Sequence, residues 1–355
     1  MKIIHAADIH LGSKLASKFP KNISDERRKE ILLSFSRLIE YAKENDIHVI
    51  LFSGDIFDND KPTLKDKEFF YKAIKANSDI DFLYLKGNHD NDASYDESDI
   101  PNLKIFNDNE YTKYSSGDID IYGIELSNNN YKSIYSKLDV DKNRVNIVML
   151  HGEVSSSFGV NKIKIDNFKN KGVDYFALGH IHSYQVEQLD DRAVYAYSGC
   201  LEGRGFDECG DKGFIVLDID GHNIKTTFIK HAKRTIHDIE VDVTGKNNLY
   251  EILKHIKDVV NDIPHKDILR ITLVGELPID VELSEGDIVT ALSSYYFVNV
   301  KNKTVNPIHL SDYEKDMSLI GEFVKGVYAN ENYSEEEKQK ISALGLKILS
   351  GREVE

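Results

Sequence analysis

The sequence predicts an α/β protein: two sheets packed face to face with helices outside, then a small α/β module and a helical end. Three observations carry that expectation. Apolar runs of strand length stop at Gly, Asp, Asn or His in five places, over 2–10, 47–58, 82–90, 145–151 and 174–182. Strand and helix patterns alternate at first, and glycine-punctuated strands follow. Beyond residue 235 both the charge balance and the pattern change.

Residues 2–12 read as a buried strand running into a loop, and the next segment is basic, with Lys14, Lys18, Lys21, Arg27, Arg28 and Lys29. Ser24 is expected to cap a helix, with Asp25 and Glu26 in its first turn and Ile31, Leu32, Phe35, Leu38 and Ile39 on its apolar face. The run 47–52 is the next strand and ends at Gly54-Asp55. A helix over 64–76 leads to a strand over 82–85 and then to Gly87-Asn88-His89-Asp90. Strands are expected over 119–124, 145–150 and 175–178, with a helix over 162–171. Residues 193–197, 214–219 and 224–229 read as antiparallel strands closing a second sheet.

From residue 236 the pattern is β-α-β-α-β, with strands over 236–243, 268–274 and 296–301 and helices over 249–260 and 288–293. Two helices follow, over 312–328 and 335–349, the second announced by the capping box Ser334 to Glu337. The expected domains are 1–235, 236–305 and 306–355.

The chain has 355 residues, 41% of them hydrophobic, enough for a sizeable core. Neither a leader nor a long apolar run is visible, so a cytoplasmic protein without a membrane segment is expected. Cys200 and Cys209 lack the spacing of a zinc or redox site and read as free thiols. The formal charge of −15 argues against nucleic acid, whose phosphates call for Lys and Arg. It is uneven: 236–355 holds 22 acids against 13 bases, which leaves only −6 for the first 235 residues. The acidic balance therefore weakens a DNA reading without excluding it.

The strand ends carry the chemistry, because ligands of an open α/β sheet bind beyond the carboxyl ends of its strands. Asp8 and His10 stand two apart on an extended chain, where both can grip one cation. Asp55 offers two oxygens, enough to bridge two cations. Asn88 adds a neutral oxygen, and His151, His180 and His182 add nitrogens. This mixed O and N set without thiolate suits Mn²⁺, Fe²⁺, Zn²⁺ or Mg²⁺ in a two-metal site. The reaction class is metal-assisted hydrolysis of a phosphate ester. His89 is left over to protonate the leaving alkoxide, and Asp58 is expected to hold its other ring nitrogen. Any one of these groups alone would read as a turn or a surface position; five strand ends in one chain do not.

Lys14 and its basic neighbours read either as a solvated face or, because they follow directly on Asp8-x-His10, as phosphate contacts at the mouth of the site. Arg204, among glycines, is a second candidate for substrate contact. His5 and His48 lie inside apolar runs and read as structural.

Asp-x-His, Gly-Asp-x-x-Asp, Gly-Asn-His-Asp, His-Gly and Gly-His-x-His, in this order, resemble the calcineurin-like metallophosphoesterase superfamily. The resemblance covers about 235 residues and implies a four-layer α/β/β/α sandwich with two metals. Asp8, His10, Asp55 and His182 would hold one; Asp55, Asn88, His151 and His180 would hold the other, with His89 as the catalytic histidine. The opening strand and Gly-Asp-Ile-Phe-Asp are similar to DNA double-strand-break repair nucleases of the SbcD type, especially the YhaO-like branch. That similarity implies Mn²⁺ as activator, DNA as partner, a small α/β cap and a C-terminal helical tail that docks an SMC-like ATPase. A second copy of the chain is a further candidate partner. The tail offers Ile341, Leu344 and Leu349 as an apolar stripe.

The expected function is thus a two-metal DNA phosphodiesterase, an exonuclease or endonuclease of repair. One alternative is a phosphatase or small-molecule phosphodiesterase of the same fold. The protein-phosphatase form Gly-Asp-x-x-Asp-Arg-Gly is absent, since Asn59 and Asp60 follow Asp58. A non-catalytic scaffold is the other alternative, and degenerate ligands, its signature, are not seen.

Overall fold

The computed structural model describes residues 1–58, 62–90, 100–278, 281 and 283–349. Asn59 and Asp60 lie outside the described residues. The chain divides into two compact units, Met1–Ile236 and His237–Glu355.

The first unit begins with β1 (Lys2–Ala6), α1 (Lys21–Glu44), β2 (Val49–Ser53), α2 (Leu64–Lys75) and β3 (Asp81–Leu85). It continues with β4 (Leu103–Ile105), β5 (Thr112–Ser116), β6 (Ile119–Gly123), α3 (Ile134–Lys137) and β7 (Val145–His151). The short strands β8 (Glu153–Val154) and β9 (Lys162–Ile163), a 3-10 turn over Ile165–Phe168 and β10 (Tyr175–Gly179) come next. It ends with β11 (Gln185–Gln188), β12 (Val194–Tyr197), β13 (Gly213–Asp220) and β14 (Asn223–Lys230).

Two six-stranded sheets result, ordered β14-β13-β1-β2-β3-β4 and β11-β12-β10-β7-β6-β5. Alternation along each strand sends one set of side chains between them. Leu51, Leu83 and Leu85 of the first sheet meet Ile147, Met149 and Ala177 of the second in one buried cluster. The opposite set faces the helices: Phe52 lies 5.9 Å, centroid to centroid, from Phe35 of α1 and from Phe70 of α2. Over the second sheet the helical layer thins to α3 and the 3-10 turn, whose Tyr135 and Phe168 pack with Phe176 and Leu178. The predicted α/β sandwich stands, with one outer layer reduced.

Three expectations for this unit need correction. The first helix starts at Lys21 with Pro20 as N-cap. Ser24 lies inside it, where its hydroxyl donates back to the carbonyls of Leu15 and Phe19, so the Ser-Asp-Glu signal marks a turn already formed. Residues 162–171 are not an α-helix; Asn170 at φ 61° and Gly172 at φ 84° break the chain after the 3-10 turn. Finally, β13 and β14 join the first sheet, not the second. β13 runs antiparallel to β1, with Ile3 opposite Leu217, and only β12 lies in the second sheet, parallel to β10.

From the last residue of the first unit onward, β15 (Ile236–Asp242), α4 (Leu249–Val260), β16 (Ile268–Val274), α5 (Glu285–Ala291) and β17 (Phe297–Asn302) form the β-α-β-α-β pattern. Its sheet, β15-β16-β17, packs Leu269, Ile271 and Leu273 against Ile252, Ile256 and Ile288 of the helices. Then come α6 (Leu310–Tyr313), α7 (Leu319–Ala329) and α8 (Glu335–Leu349). The single helix expected over 312–328 is therefore split. Ser318 caps the second piece by accepting from Gly321 N–H, and a cap needs non-helical backbone. The Ser334–Glu337 capping box forms, at 2.8 and 3.3 Å. Leu346 joins Ile308 and Val324 in a small core, while Leu344, Ile348 and Leu349 are exposed and Ile341 is half-buried.

Candidate active site

The parallel strands β1, β2 and β3 point their carboxyl ends the same way, as do β7 and β10 in the other sheet. The loops that leave these ends meet because the sheets pinch there: a Cβ on Gly179 would lie 1.8 Å from the Ser53 carbonyl oxygen. The turn is tight enough to force unusual backbone. Seven described non-glycine residues have positive φ, and four of them are Asp8 (52°), His10 (54°), Asp55 (51°) and His180 (100°). Such conformations are held only where surrounding contacts impose them, and they cluster at functional sites. Here Asp8 N–H donates to Gly54 O at 2.9 Å and His10 N–H to Asp55 O at 3.0 Å.

Three groups of ligand-type atoms within 4.8 Å of one another result among the described residues: Asp8, His10 and His182; Asp55, His151 and His180; and His10, Asp58 and His89, of which the first two join different strand ends. In the first, Nε2 of His10 and Nε2 of His182 face each other at 3.2 Å. Their Nδ1 atoms are already engaged, His10 Nδ1 lying 3.0 Å from Asp58 Oδ1 and His182 Nδ1 2.9 Å from Glu208 Oε1. Burial pushes the His10 pKa down to about 4, so the ring is neutral. Its Nε2 faces a second imidazole and stands close to the Asp8 carboxylate.

The second group repeats the pattern. His151 Nδ1–H donates to Ser53 O at 2.9 Å, and Nε2 faces Asn88 Oδ1 at 3.2 Å and Asp55 Oδ2 at 3.3 Å. His180 Nδ1 is 3.1 Å from the same Asn88 oxygen. Positive charge is called for here. Burial lowers the His151 pKa, but the Asp55 and Asp8 carboxylates outweigh it and raise it to about 9. Burial holds the Asp8 pKa up near 7. Carboxylate and amide oxygens and imidazole nitrogens that converge in this way are the donor set of a divalent cation, which would take the place of the His151 proton, so the residues present fit two such ions.

The chain belongs to the calcineurin-like phosphoesterase family. Residues 1–184 match the model of that family. Over 392 aligned residues the chain is 25% identical to the DNA double-strand break repair protein Mre11 of Sulfolobus acidocaldarius, covering 99% of this chain and 100% of the relative. It is 26% identical to the protein of the same name from Sulfurisphaera tokodaii, covering 96% of this chain and 91% of that one. With the uncharacterized metallophosphoesterase YhaO of Bacillus subtilis it shares 28% identity over 69% of this chain and 64% of the relative. It is a metal-dependent hydrolase, as members of a calcineurin-like phosphoesterase family are.

For a calcineurin-like phosphoesterase the seven expected ligands, Asp8, His10, Asp55, Asn88, His151, His180 and His182, are brought together. His89 sits at their edge, its N–H donating to Asp55 Oδ1 at 2.9 Å and its ring 5.3 Å from that of His10. Three expectations change. Asp58 sits against His10 Nδ1 rather than holding His89, though its ligand atom lies within 4.8 Å of both rings. Arg204, 11% exposed, is held by Asp58 and Glu208 and is not free for substrate. Within the basic stretch, Lys14 is exposed, but Lys18 is paired with Asp207 at 2.9 Å and Arg27 is wholly buried with Glu30, Glu202 and the Gly203 carbonyl.

Two buried acids of this phosphoesterase were missed. Glu208 holds His182; its pKa, raised by burial, is brought well below the usual range by His182 and Arg204. Asp90 accepts the N–H groups of Gly87 and Phe57, both at 2.9 Å. Glu208 stands four residues after Arg204 in a glycine-rich loop, and no local pattern ties it to His182. Beside Asn88 and His151 lies a cavity of about 380 Å³, walled by Lys86, Glu125, Leu126, Val160 and Asn161.

Proposed function

We propose that the chain is a two-metal DNA phosphodiesterase, a repair exonuclease or endonuclease. Asp8, His10, Asp55 and His182 hold one ion; Asp55, Asn88, His151 and His180 hold the other. Mn²⁺ is the assigned ion. When bound, the pair supplies a hydroxide nucleophile and a clamp on the phosphoryl oxygens. His89 stands outside both ligand sets and delivers a proton to the leaving oxygen. Lys14, exposed on the loop beyond His10, is free to meet a phosphate.

The observation that carries the reading is the convergence of His10 Nε2 and His182 Nε2, 3.2 Å apart, in one group with Asp8, in a chain with this metallophosphoesterase strand-end set. DNA as substrate is supported by relatives, printed as DNA double-strand break repair proteins, that align along nearly the whole chain. A second copy of the chain and an SMC-like ATPase are the proposed partners. Leu344, Ile348 and Leu349, exposed on α8, support the latter. Among the described residues no helix is long and apolar enough to cross a membrane.

The test is hydrolysis with Mn²⁺ of duplex and single-stranded DNA beside p-nitrophenyl phosphate and bis-p-nitrophenyl phosphate. DNA cleavage that ends with a chelator is expected. Turnover of the small monoester with no DNA cleavage would assign the chain to phosphatases of the same fold.

A further inference from the structure

The Arg204 guanidinium touches two carboxylates at once. Nη1 pairs with Asp58 Oδ1, Nη2 lies 2.6 Å from Glu208 Oε1, and Arg204 N–H donates to Glu208 Oε2 at 2.8 Å. Each carboxylate in turn lies against the outward nitrogen of one histidine: Asp58 Oδ1 is 3.0 Å from His10 Nδ1, and Glu208 Oε1 is 2.9 Å from His182 Nδ1, which Arg204 Nη2 also approaches at 3.2 Å. One planar fork thus stands behind both imidazoles whose Nε2 atoms converge. The other group is backed differently. There His151 is set by the Ser53 carbonyl, a backbone atom of β2.

We propose that Arg204 and Glu208 are positioning residues that, together with Asp58, aim His10 and His182 at one cation and leave the second cation's ligands untouched. The inference rests on the metal assignment proposed above. Its physical basis is that an imidazole rotates about its Cβ–Cγ bond unless its far nitrogen is held, and a carboxylate rotates unless it too is held. Without the fork, Asp58 and Glu208 are two like charges in a largely buried space, and both histidines lose their aim together. Lysine cannot replace this arginine, because an ammonium has no rigid fork to span two acceptors.

The full chain, stripped of metal, is titrated with Mn²⁺ by calorimetry with no substrate present, and the loaded forms are read by electron paramagnetic resonance. In Glu208→Gln and Arg204→Lys, one of the two Mn²⁺ sites is expected to weaken roughly 10–100-fold while the other keeps its affinity. The resonance of a coupled pair should give way to that of an isolated ion. Melting of the metal-free proteins accompanies each titration, and Arg204→Lys, which keeps a cation between the acids, carries the reading where Glu208→Gln melts early. Parent affinity at both sites in both variants overturns the inference, as does equal weakening of both. Asp8→Asn keeps the two claims apart. If it binds two ions as tightly as the parent, the metal assignment itself has failed; if it loses one while Glu208→Gln and Arg204→Lys lose none, only the positioning role falls.

Discussion

The carboxylate of Asp90 accepts the backbone N–H of Phe57 at 2.9 Å, that of Gly87 at 2.9 Å and that of Ile56 at 3.3 Å. One buried side chain thereby ties the loop beyond β2, which carries Asp55, to the loop beyond β3, which carries Asn88. Asp90→Ala leaves three donors without an acceptor, two buried and one half-buried, at about 1–3 kcal/mol each. Unfolding in urea should show a loss of at least ~3 kcal/mol, and less for Asp90→Asn, which keeps one oxygen. An Asp90→Ala protein as stable as the parent would mean that water reaches these N–H groups.

In the proposed assignment Asp55 would hold both ions and Asp8 only one. Asp55→Asn is therefore expected to bring bound Mn²⁺ below one ion per chain, and Asp8→Asn to retain one. Metal analysis after gel filtration decides it; equal losses in the two variants would remove the bridging role.

His89 is a proton donor outside both ligand sets in this reading, so His89→Gln should abolish DNA cleavage with both Mn²⁺ ions still bound. Asp58→Asn is expected to behave differently. Its carboxylate lies on His10 Nδ1, so the substitution should weaken Mn²⁺ binding, not merely slow departure of the leaving group. Metal analysis beside cleavage rates separates the two variants.

These cases mark where the sequence could be read and where it could not. That these strand-end residues come together was legible, because their places follow from the period of the strands and the direction of parallel pairing, both local properties. The partner of Asp58 was not. His10 and His89 both come within reach of it, and the choice depends on backbone turns at Asp8, His10 and Asp55 whose positive φ no residue type announces. Glu208 was missed for the same reason: it comes from a loop far along the chain and meets His182 only through the fold. The sheet membership of β13 and β14 is likewise nonlocal, since a strand of their composition can extend either sheet.

Close approach of backbones explains a further sensitivity. Gly179→Ala would drive a methyl carbon to 1.8 Å from the Ser53 carbonyl oxygen, so β10 must move away from β2. That shift carries His180 away from Asn88. Loss of several kcal/mol and of the ion assigned to His180 are expected together. Gly326 is the contrasting case, exposed within α7 with nothing near its Cβ position. Gly326→Ala should raise stability by about 0.5–1 kcal/mol with Mn²⁺ binding unchanged. Thermal melts and Mn²⁺ titration of the pair test both statements.

His5 supplies the pH dependence. Its Nδ1 accepts from the Tyr175 hydroxyl at 2.9 Å and its Nε2–H donates to Leu178 O at 3.1 Å, linking β1 to β10 across the core. Burial drives its pKa from 6.5 down to about 3. The unfolded chain therefore takes up this proton first as pH falls. The contribution is fully present above pH 6.5 and is lost progressively between pH 6.5 and 3. By pH 4.5 this one group should have removed about 2 to 3 kcal/mol. His5→Gln can keep a polar contact to Tyr175 but does not titrate, so its stability should fall less steeply over that interval, even from a lower starting value at neutral pH. Urea midpoints at pH 7.5 and 4.5 for parent and variant measure the difference; parallel curves would mean that His5 does not carry the acid limb.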